Sequence, residues 1–479
     1  MNSTHHHTQK LPQWPVWLLL MVLFAPVKTL AQQAPFYTPT VVNNRVRQRE
    51  IRDSLRNYKH PGRRFVELGV AELVPWTVDR AAGKDYANIS WKTVGYNLNP
   101  GHWAWDNDPF QTNQFGHPYH GSYFFNSFRT NGYSFWQSVP AAFLGSYIWE
   151  TFAENQAPAP NDFINTSFGG IVLGEMTYRM SNKIVNNHTR GFHRQMSEVV
   201  AFIVCPTNGL NRILDGKWGK VSRNTLEVDS SKVSAEFDLG YRKFGSNNQA
   251  LFSTAGRSGW YAHAKLLYGT PYENFRKPFT NIIINAEIGK DDSTALNMIS
   301  VYGSLMGWQL DSGEEVKHLL VISANYDYIH NVAFFYGGQS VKLNLYSQFQ
   351  PFKKIKLNTQ LSGGPIILAA VPSPYLVNGR NYDYGSGLGI GGGGKLSLLD
   401  KFFVSVNYRG GWTHTMNGSK SHYFLHTISS EFSYMPIKGF SANAEPGYFT
   451  LEGHYKDHPE VNRSYPYLKL SARYAVNIR

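Results

Sequence analysis

The carboxy-terminal half of the chain alternates apolar and polar residues with a period of two, up to its last residues. In the final segment one face carries Leu468, Leu470, Ala472, Tyr474, Val476 and Ile478, and the other carries Lys469, Ser471, Arg473, Asn477 and Arg479, with Ala475. Successive residues of a strand point to opposite faces, and about ten residues are enough for a tilted strand to cross a bilayer. The pattern predicts a strand with one face toward lipid and one toward a lumen.

Similar segments recur from residue 224 to residue 479, among them 233–242, 279–288, 320–328, 340–349 and 402–412. A spacing of about 21 residues for each strand and turn suits a closed barrel. We therefore predict a mainly β protein, in which 224–479 form a transmembrane β-barrel of about twelve antiparallel strands. The 29 Tyr, 30 Phe and 12 Trp agree with aromatic girdles at the two membrane interfaces. A secreted, soluble β-sandwich is the alternative.

One segment has glycine at every second position from Gly385 to Gly393, so one face of that strand carries no side chains. Glycine within a strand marks a bend or a close approach of another backbone. Either the barrel wall bends here, or a bulky element packs on the bare face. A helical domain of this chain is the candidate for that element.

Residues 1–31 have the features of a signal peptide. They combine Lys10, an apolar run over 16–25 and a small-residue cleavage site ending at Ala31. Ten apolar residues are too few for a permanent helical anchor, although an uncleaved anchor is the competing interpretation. With Cys205 as the only cysteine, an internal disulfide framework is excluded. We expect export and residence in the outer membrane of a diderm bacterium.

Residues 32–64 form a predicted basic linker or arm, whose basic side chains are Arg45, Arg47, Arg49, Arg52, Arg56, Lys59, Arg63 and Arg64. The formal net charge is +13, and for an exported protein it favours anionic partners such as outer-membrane lipid or lipopolysaccharide. Nucleic acid is not expected, because no binding module accompanies the charge. The arm has three interpretations: a solvated linker, a surface that docks on anionic lipid or polymer, or a cell-wall adhesion segment.

Between about 117 and 218 the periodicity becomes helical. We predict helices over about 119–130, from Ser134 to about Glu154, from Asn161 or Asp162 to about Asn186, and from Gly191 to Val204, then a short turn at 208–214. This small helical domain, within 65–220, precedes the barrel. We expect it to plug the lumen or to cap the periplasmic mouth.

The predicted helices carry polar side chains in apolar surroundings. The candidate catalytic residues are His117, His120, Arg129, Glu150, Glu154, Asp162, Asn165 and Glu175, and the candidate metal ligands are His117, His120, Glu150 and Glu154. Histidines and carboxylates held on helices could form an acid–base pair or an oxygen/nitrogen metal site. No established zinc or nucleophile motif accompanies them. We expect no cofactor, and whether a metal ion binds is left open by the sequence.

Each candidate also has a structural explanation. Asn161 and Asp162 follow Pro160 and suit the start of a helix. Glu175 and Arg179 have the spacing of a helix ion pair, while Gly170 and Gly174 suit close helix packing. Buried Glu150 and Glu154 need partners, which His117, His120 and Arg129 could supply.

Several blocks of residues resemble the signature of an uncharacterised family of exported bacterial proteins, domain of unknown function 3943. These blocks are 105–113, 115–126, 132–138, 145–150, 160–162, 169–175 and 209–216. The resemblance covers about 65–220 and implies an outer-membrane setting with a helical module before a barrel. It implies no activity, so no catalytic residue follows from it.

Two functions stay open at this point. The first is a non-enzymatic barrel that passes or gates a solute or an envelope component. The second is a membrane-embedded enzyme that modifies envelope lipid or lipopolysaccharide through the candidate residues. In both cases outer-membrane lipid and the barrel-assembly machinery are expected partners.

Overall fold

The computed structural model describes residues 59–187, 189–220, 232–272, 275–290, 295–310, 316–331, 335–352 and 354–478. The predicted signal peptide, and the predicted basic arm up to residue 58, lie outside the described residues.

Twelve antiparallel strands form a closed barrel in which each strand pairs with its neighbours in sequence and the first pairs with the last. The strands are β1 Val233–Phe244, β2 Arg257–Tyr268, β3 Ile282–Gly289, β4 Leu296–Leu310, β5 Val316–His330, β6 Phe335–Phe352, β7 Ile355–Val377, β8 Arg380–Leu398, β9 Phe402–Asn417, β10 Ser421–Ile437, β11 Phe440–Tyr455 and β12 Val461–Ile478. The register between β1 and β12 runs unbroken from Val233↔Ile478 to Phe244↔Tyr467. The predicted barrel is confirmed, and the sandwich alternative is excluded.

Contacts between distant strands identify the inner face of the barrel. Arg409 on β9 lies 3.8 Å from Asp327 on β5, and a contact between strands four places apart crosses the lumen. Glu287 on β3 pairs with both Arg242 on β1 and Lys469 on β12. Since neighbours in a strand point to opposite faces, the residues next to these charged ones face outward.

The outward-facing residues of β9–β12 are large, apolar and exposed. They include Phe402, Val406, Trp412, Ile428, Phe432, Tyr448, Leu470 and Tyr474. A water-soluble protein of this size seldom exposes so large an apolar surface. The alternation that marks the strands in the sequence therefore separates a charged interior from an apolar exterior.

The glycine face of β8 points into the lumen and meets other strands rather than helices. A Cβ on Gly387 would overlap the backbone oxygen of Trp412 on β9. One on Gly389 would lie 3.4 Å from Lys342 Cε on β6, and one on Gly391 would lie 2.7 Å from Ser362 Oγ on β7. Close approach within the barrel explains Gly387 and Gly391, and the expectation that the helical domain docks on this face is wrong.

Eight α-helices precede the barrel in the described part of the chain and form what we call the helical module. They are α1 Pro61–Ala81, α2 Trp91–Asn97, α3 His117–Arg129, α4 Phe135–Ile148, α5 Pro160–Ile164, α6 Gly170–Val185, α7 Gly191–Val204 and α8 Pro206–Leu214. Among the described residues, no helix has the length and apolar character needed to cross a bilayer. The sequence missed α1 and α2, and the predicted turn at 208–214 belongs to α8.

Local chemistry accounts for several helix boundaries. Ser134 caps α4 in a capping box with Gln137, and Pro61, Pro160 and Pro206 stand in the first turns of α1, α5 and α8. α1 starts inside the predicted basic arm, because Arg63 packs into the module and donates a 2.6 Å hydrogen bond to Asp215. Single π-helical turns extend α4 over Trp149–Ala153 and join α5 to α6 over Asn165–Gly169.

The helical module packs against the outer wall of the barrel. Phe110 stacks on Tyr328 of β5 at 5.6 Å between ring centroids and contacts Tyr382 of β8 at 5.8 Å. Both tyrosines are neighbours in sequence of aspartates that face the lumen, Asp327 and Asp383, so they point outward. The same covered wall includes Ile282 and Ile284 on β3, Val301 on β4 and Leu368 on β7.

The position of the module on the outer wall corrects the expectation of a lumen plug or a periplasmic cap. The dimensions agree with the contacts, since a helix with its side chains is about 10–12 Å wide. Barrels of eight strands are filled by side chains, and those of 16–18 strands leave only a channel. A lumen of twelve strands is too narrow for several packed helices.

Candidate functional site

Three of the predicted site residues, His117, Glu150 and Asp162, come together where the module meets β8. They are held by the start of α3, by the π-helical turn after α4 and by α5. π-Helical turns are often found at functional sites, and this one carries Glu150. The carboxyls of Glu150 and Asp162 are 2% and 4% exposed.

Asp162 lies beside a histidine. Its Oδ1 is 3.5 Å from His117 Nε2 and accepts a 2.7 Å hydrogen bond from Asn161. Burial raises the pKa of Asp162 well above its usual range, and Glu150 raises it further. Burial also lowers the pKa of His117 to about 4, with His120 as the second cause. The contact therefore joins an imidazole whose pKa is lowered by burial to a carboxyl whose pKa is raised by burial.

Glu150 is the second buried acid. Its Oε2 accepts a 2.9 Å hydrogen bond from the Ala159 amide. Burial raises its pKa well above the usual range, and the nearby Glu154 adds to the shift. Glu154 lies further out, where Trp149 donates a 2.6 Å hydrogen bond to it, and burial raises its pKa to about 7.

Asn161 connects this acidic pair to the barrel wall. Its Nδ2 lies 3.2 Å from the hydroxyl of Tyr384 on β8, and its Oδ1 accepts a 3.0 Å hydrogen bond from the Asp106 amide. The side chain thus serves a contact between elements rather than the helix cap expected from the sequence, because Ala159 is at the N-cap of α5.

The segment before α3 completes the interface. Asn113 donates a 2.8 Å hydrogen bond to the hydroxyl of Tyr382, which donates to the backbone oxygen of Asp108 at 2.7 Å. Arg380 donates to the backbone oxygen of Asp106 at 2.8 Å. Burial raises the pKa of Asp108 to about 6, and Asp106 contributes to the shift.

The other predicted residues lie elsewhere in the module. Glu175 binds both Arg129 at 2.7 Å and Arg179 at 2.8 Å, so the expected i, i+4 ion pair has a third member. His120 hydrogen-bonds the backbone oxygen of Ala71 at 2.9 Å and packs on Trp149.

Asn165 starts a π-helical turn, and both of its amide atoms are buried without a hydrogen-bond partner among the described residues. Gln114, whose side chain packs against Gly337 on β6, and Gln339 on the same outward face share this property. Three unpaired amides thus lie at or near the contact between the module and the wall, where a polar ligand or water could satisfy them.

The arrangement determines which chemistry is available. Among the described residues, no group of three His, Cys, Asp or Glu side chains is placed to hold a metal ion, and the four candidate ligands do not converge. The imidazole of His117 and the buried carboxyl of Asp162, 3.5 Å apart, can exchange a proton. Glu154 titrates near neutral pH, which is where a general acid or base works best.

Sequence reasoning missed half of this interface. Asp106, Asp108 and Asn113 stand inside the run 105–113 that carries the family resemblance, so a signal for them existed. Arg380, Tyr382 and Tyr384 are more than 200 residues away in the chain, on an alternating segment like many others. Nothing local distinguishes them.

A model of the protein family described as "Domain of unknown function (DUF3943)" matches residues 102–207. The match confirms the resemblance found in the sequence and covers the helical half of the site but none of the barrel. No curated protein matches the chain.

Solved structures similar to this chain include outer-membrane channels. The channel DcaP of Acinetobacter baumannii is 8% identical over 52% of this chain and 99% of that one, with a TM-score of 0.25. An outer-membrane channel from Pseudomonas putida F1 is 8% identical over 52% and 95%, with a TM-score of 0.30. The anion-selective porin of Comamonas acidovorans is 9% identical over 52% and 99%, with a TM-score of 0.25. At these values no property of those proteins is transferred to this chain.

Proposed function

We propose that the protein is an outer-membrane barrel whose lumen passes a polar or charged solute. The observation that carries the proposal is the charged interior, part of which is open to water. Arg409 keeps 62% of its side chain exposed while facing Asp327 across the lumen. A polar interior inside an apolar exterior is the pattern of barrels that conduct hydrophilic solutes.

The outer membrane is the proposed location, because the exterior of β9–β12 offers a continuous apolar face and residues 1–31 have the features of a signal peptide. The start of β1 and the end of β12 lie at the same end of the barrel, together with the short connections at 399–401 and 438–439. Insertion would need the barrel-assembly machinery.

An aromatic cluster narrows the lumen at the opposite end. Tyr375 on β7 and Tyr455 on β11 have ring centroids 4.8 Å apart, although these strands lie four places from each other. Tyr375 also donates a 2.9 Å hydrogen bond to the backbone oxygen of Pro459, while Tyr423 and Leu451 pack in the same cluster. We assign the constriction of the proposed path to these side chains rather than to the helical module.

Planar-bilayer conductance of the full chain tests the proposal. We expect ion conductance from the wild-type protein and a higher single-channel conductance from the Tyr375→Ala/Tyr455→Ala double variant. Phe432→Ala, on the outer face of β10, is the matched control and should leave the conductance unchanged. If neither the wild-type protein nor the double variant conducts while both are folded, the lumen is not a passage.

A lipid-modifying enzyme is the second candidate, and the buried group of His117, Glu150 and Asp162 favours it. Ionisable residues grouped at membrane depth often mark functional sites, and a carboxyl whose pKa is raised by burial could supply a proton to a lipid ester. We expect Glu150→Gln to leave a folded barrel. The alternative then requires that cells with this variant lose one lipid conversion.

Mass spectrometry of envelope lipids and lipopolysaccharide distinguishes the two functions. The comparison includes cells with the wild-type protein, with no protein, with Glu150→Gln and with Lys92→Gln, an exposed control on α2. A species that changes identically in the deletion and in Glu150→Gln, but not in Lys92→Gln, would replace the proposed passage with the enzyme. Identical profiles in all four would remove the enzyme. Neither function as proposed needs a cofactor.

A further inference from the structure

We infer that the outer surface of the helical module lies among the acyl chains of the outer-membrane lipid. The first observation is the polarity of α1. Its side chains that face the module include Glu67 and Glu72, which are both buried. Between residues 65 and 78 its exposed side chains are apolar apart from Thr77: they are Phe65, Val66, Val70, Leu73, Val74 and Val78, each between 45% and 65% exposed.

Helix α7 shows the same inverted pattern independently. Arg194 and Glu198 form a 2.7 Å ion pair inside the module, and Arg212 on α8 binds the same carboxylate at 2.7 Å. The exposed face of α7 carries Phe192, Met196, Val199, Val200 and Ile203, and that of α8 carries Leu210, Ile213 and Leu214.

The module has charged side chains in its interior and apolar side chains on its surface. This distribution is the reverse of that in a water-soluble helix bundle. In water, an amphipathic helix turns its apolar stripe to the core and its charges to solvent. In a bilayer, charged side chains face the interior of the protein and pair there, and apolar side chains face lipid. At least three helices of the module follow the second rule.

The position of the module identifies lipid as the occupant. Its helices cover part of the outward faces of β3–β8, and the uncovered parts of β6–β8 carry exposed apolar side chains such as Leu343, Leu361 and Leu388. The module therefore stands where lipid would otherwise contact the wall. Its exposed apolar side chains therefore extend the apolar outer surface of the barrel across the part of the wall that the module covers.

The exposed charges lie at the ends of the helices. Within α1 the residues from 65 to 78 carry no charged side chain except the two buried glutamates, a length of about 21 Å at 1.5 Å per residue. Arg80, Lys84 and Asp85 follow directly and are exposed, as are Lys217 and Lys220 after α8. This distribution suits helices that are immersed in the hydrocarbon and emerge at its boundary.

Site-specific fluorescence quenching of the full chain in lipid vesicles tests the inference. Bimane is attached at Val74→Cys on α1, at Val200→Cys on α7 and at Lys84→Cys as the matched control. The natural Cys205 is buried, so the unsubstituted protein reports background labelling. The quenchers are phosphatidylcholine with brominated acyl chains and, separately, aqueous iodide.

We expect brominated lipid to quench positions 74 and 200 several-fold more strongly than position 84, and iodide to show the reverse order. Strong iodide quenching at 74 and 200, with none by brominated lipid, would overturn the inference and place the module in water. If neither quencher reaches these positions, a protein covers them, and the inference is equally wrong. None of these outcomes depends on whether the lumen conducts a solute.

Discussion

At the scale of single residues, the buried acids of the helical module are of two kinds. Glu175 and Glu198 each bind two arginines. Glu72, in contrast, has no hydrogen-bond partner among the described residues for either carboxyl oxygen. The two arrangements respond differently to substitution and to pH.

Replacing Glu175 with glutamine should strongly destabilise the module. The change removes the negative charge that binds both Arg129 and Arg179, and breaking a buried ion pair from one side costs about 3–5 kcal/mol. Urea unfolding of the full chain in lipid vesicles measures the loss. Asp85→Asn, at an exposed site, is the control and should change the free energy of unfolding by less than about 0.5 kcal/mol. Equal effects of both substitutions would contradict this account.

The burial of Glu72 should make the protein less stable as the pH rises. Burial raises its pKa from 4.5 to about 9, so the folded state holds a proton that the unfolded state releases above about pH 4.5. The stability that this proton confers is complete below the unfolded pKa and is lost as the pH rises toward 9. Glu150 and Asp162 act in the same direction.

Glu72→Gln should therefore reduce the loss of stability at high pH without abolishing it. The measurement compares the melting temperatures of the variant and of the wild-type protein at about pH 5 and about pH 8.5. A variant whose melting temperature falls as much as that of the wild type would show that Glu72 does not carry the effect.

At the scale of elements, glycine sets how closely α3 and α6 cross. A Cβ on Gly170 would lie 2.5 Å from the backbone carbon of Gly121, so the helices meet backbone to backbone. Gly174 adjoins Phe125 of α3 in the same way, with a Cβ placed 2.7 Å from the ring. These contacts hold the turn that bears Asn165 next to the start of α3.

Two glycine-to-alanine substitutions should change the free energy of unfolding in opposite directions. Gly170→Ala forces α3 and α6 apart and should cost about 1–3 kcal/mol or more. Gly69→Ala on α1 has no atom within 4 Å of the new Cβ and should stabilise the helix by about 0.5–1 kcal/mol. Unfolding free energies of the two variants test both expectations. A destabilising Gly69→Ala would mean that another part of the protein packs against this side of α1.

At the scale of the whole molecule, the barrel and the helical module are joined by a compact aromatic contact. Phe110 lies between Tyr328, Phe335 and Tyr382, at centroid distances from 4.7 to 5.8 Å. The polar bonds of Asn113, Asn161 and Arg380 surround this contact. The module can therefore loosen from the wall without any change in the pairing of the strands.

Phe110→Ala should loosen the module while the barrel stays closed. Removing a buried Phe side chain costs about 3–5 kcal/mol, and here the loss falls on the contact between module and wall. Hydrogen exchange should become faster over 106–114 and α3, and the unboiled protein should keep its folded position on a gel. Trp91→Ala is the control, since that side chain is 90% exposed. Unchanged exchange in Phe110→Ala would contradict the assignment.

The barrel was predictable from the sequence because the pattern that marks its strands is local. Alternation at period two needs only neighbouring residues, and the chain repeats it through to β12, which closes the barrel by pairing with β1. The helices with a clear cap, such as α4 with Ser134, were predictable for the same reason. α1 was missed because its apolar stripe is broken by Gly69 and Pro75 and its charges face inward.

The candidate site was predictable only in part. The sequence singled out His117, Glu150 and Asp162 by their apolar surroundings, and these three do meet. It also proposed His120, Arg129 and Glu175, which the fold places elsewhere. Helix periodicity shows which residues share a face of a helix, but not which element packs against that face.

By itself, the sequence predicted an export signal, and it determined the strand repeat and the two chemically distinct faces of the barrel wall, which follow from the order of adjacent residues. Only the tertiary structure decided what covers the outward face. Period-two alternation is identical for a face against lipid and a face against helices, since both are apolar. The pairing of Asn161 with Tyr384, and with it the position of the module outside the lumen, depends on contacts that no local pattern encodes.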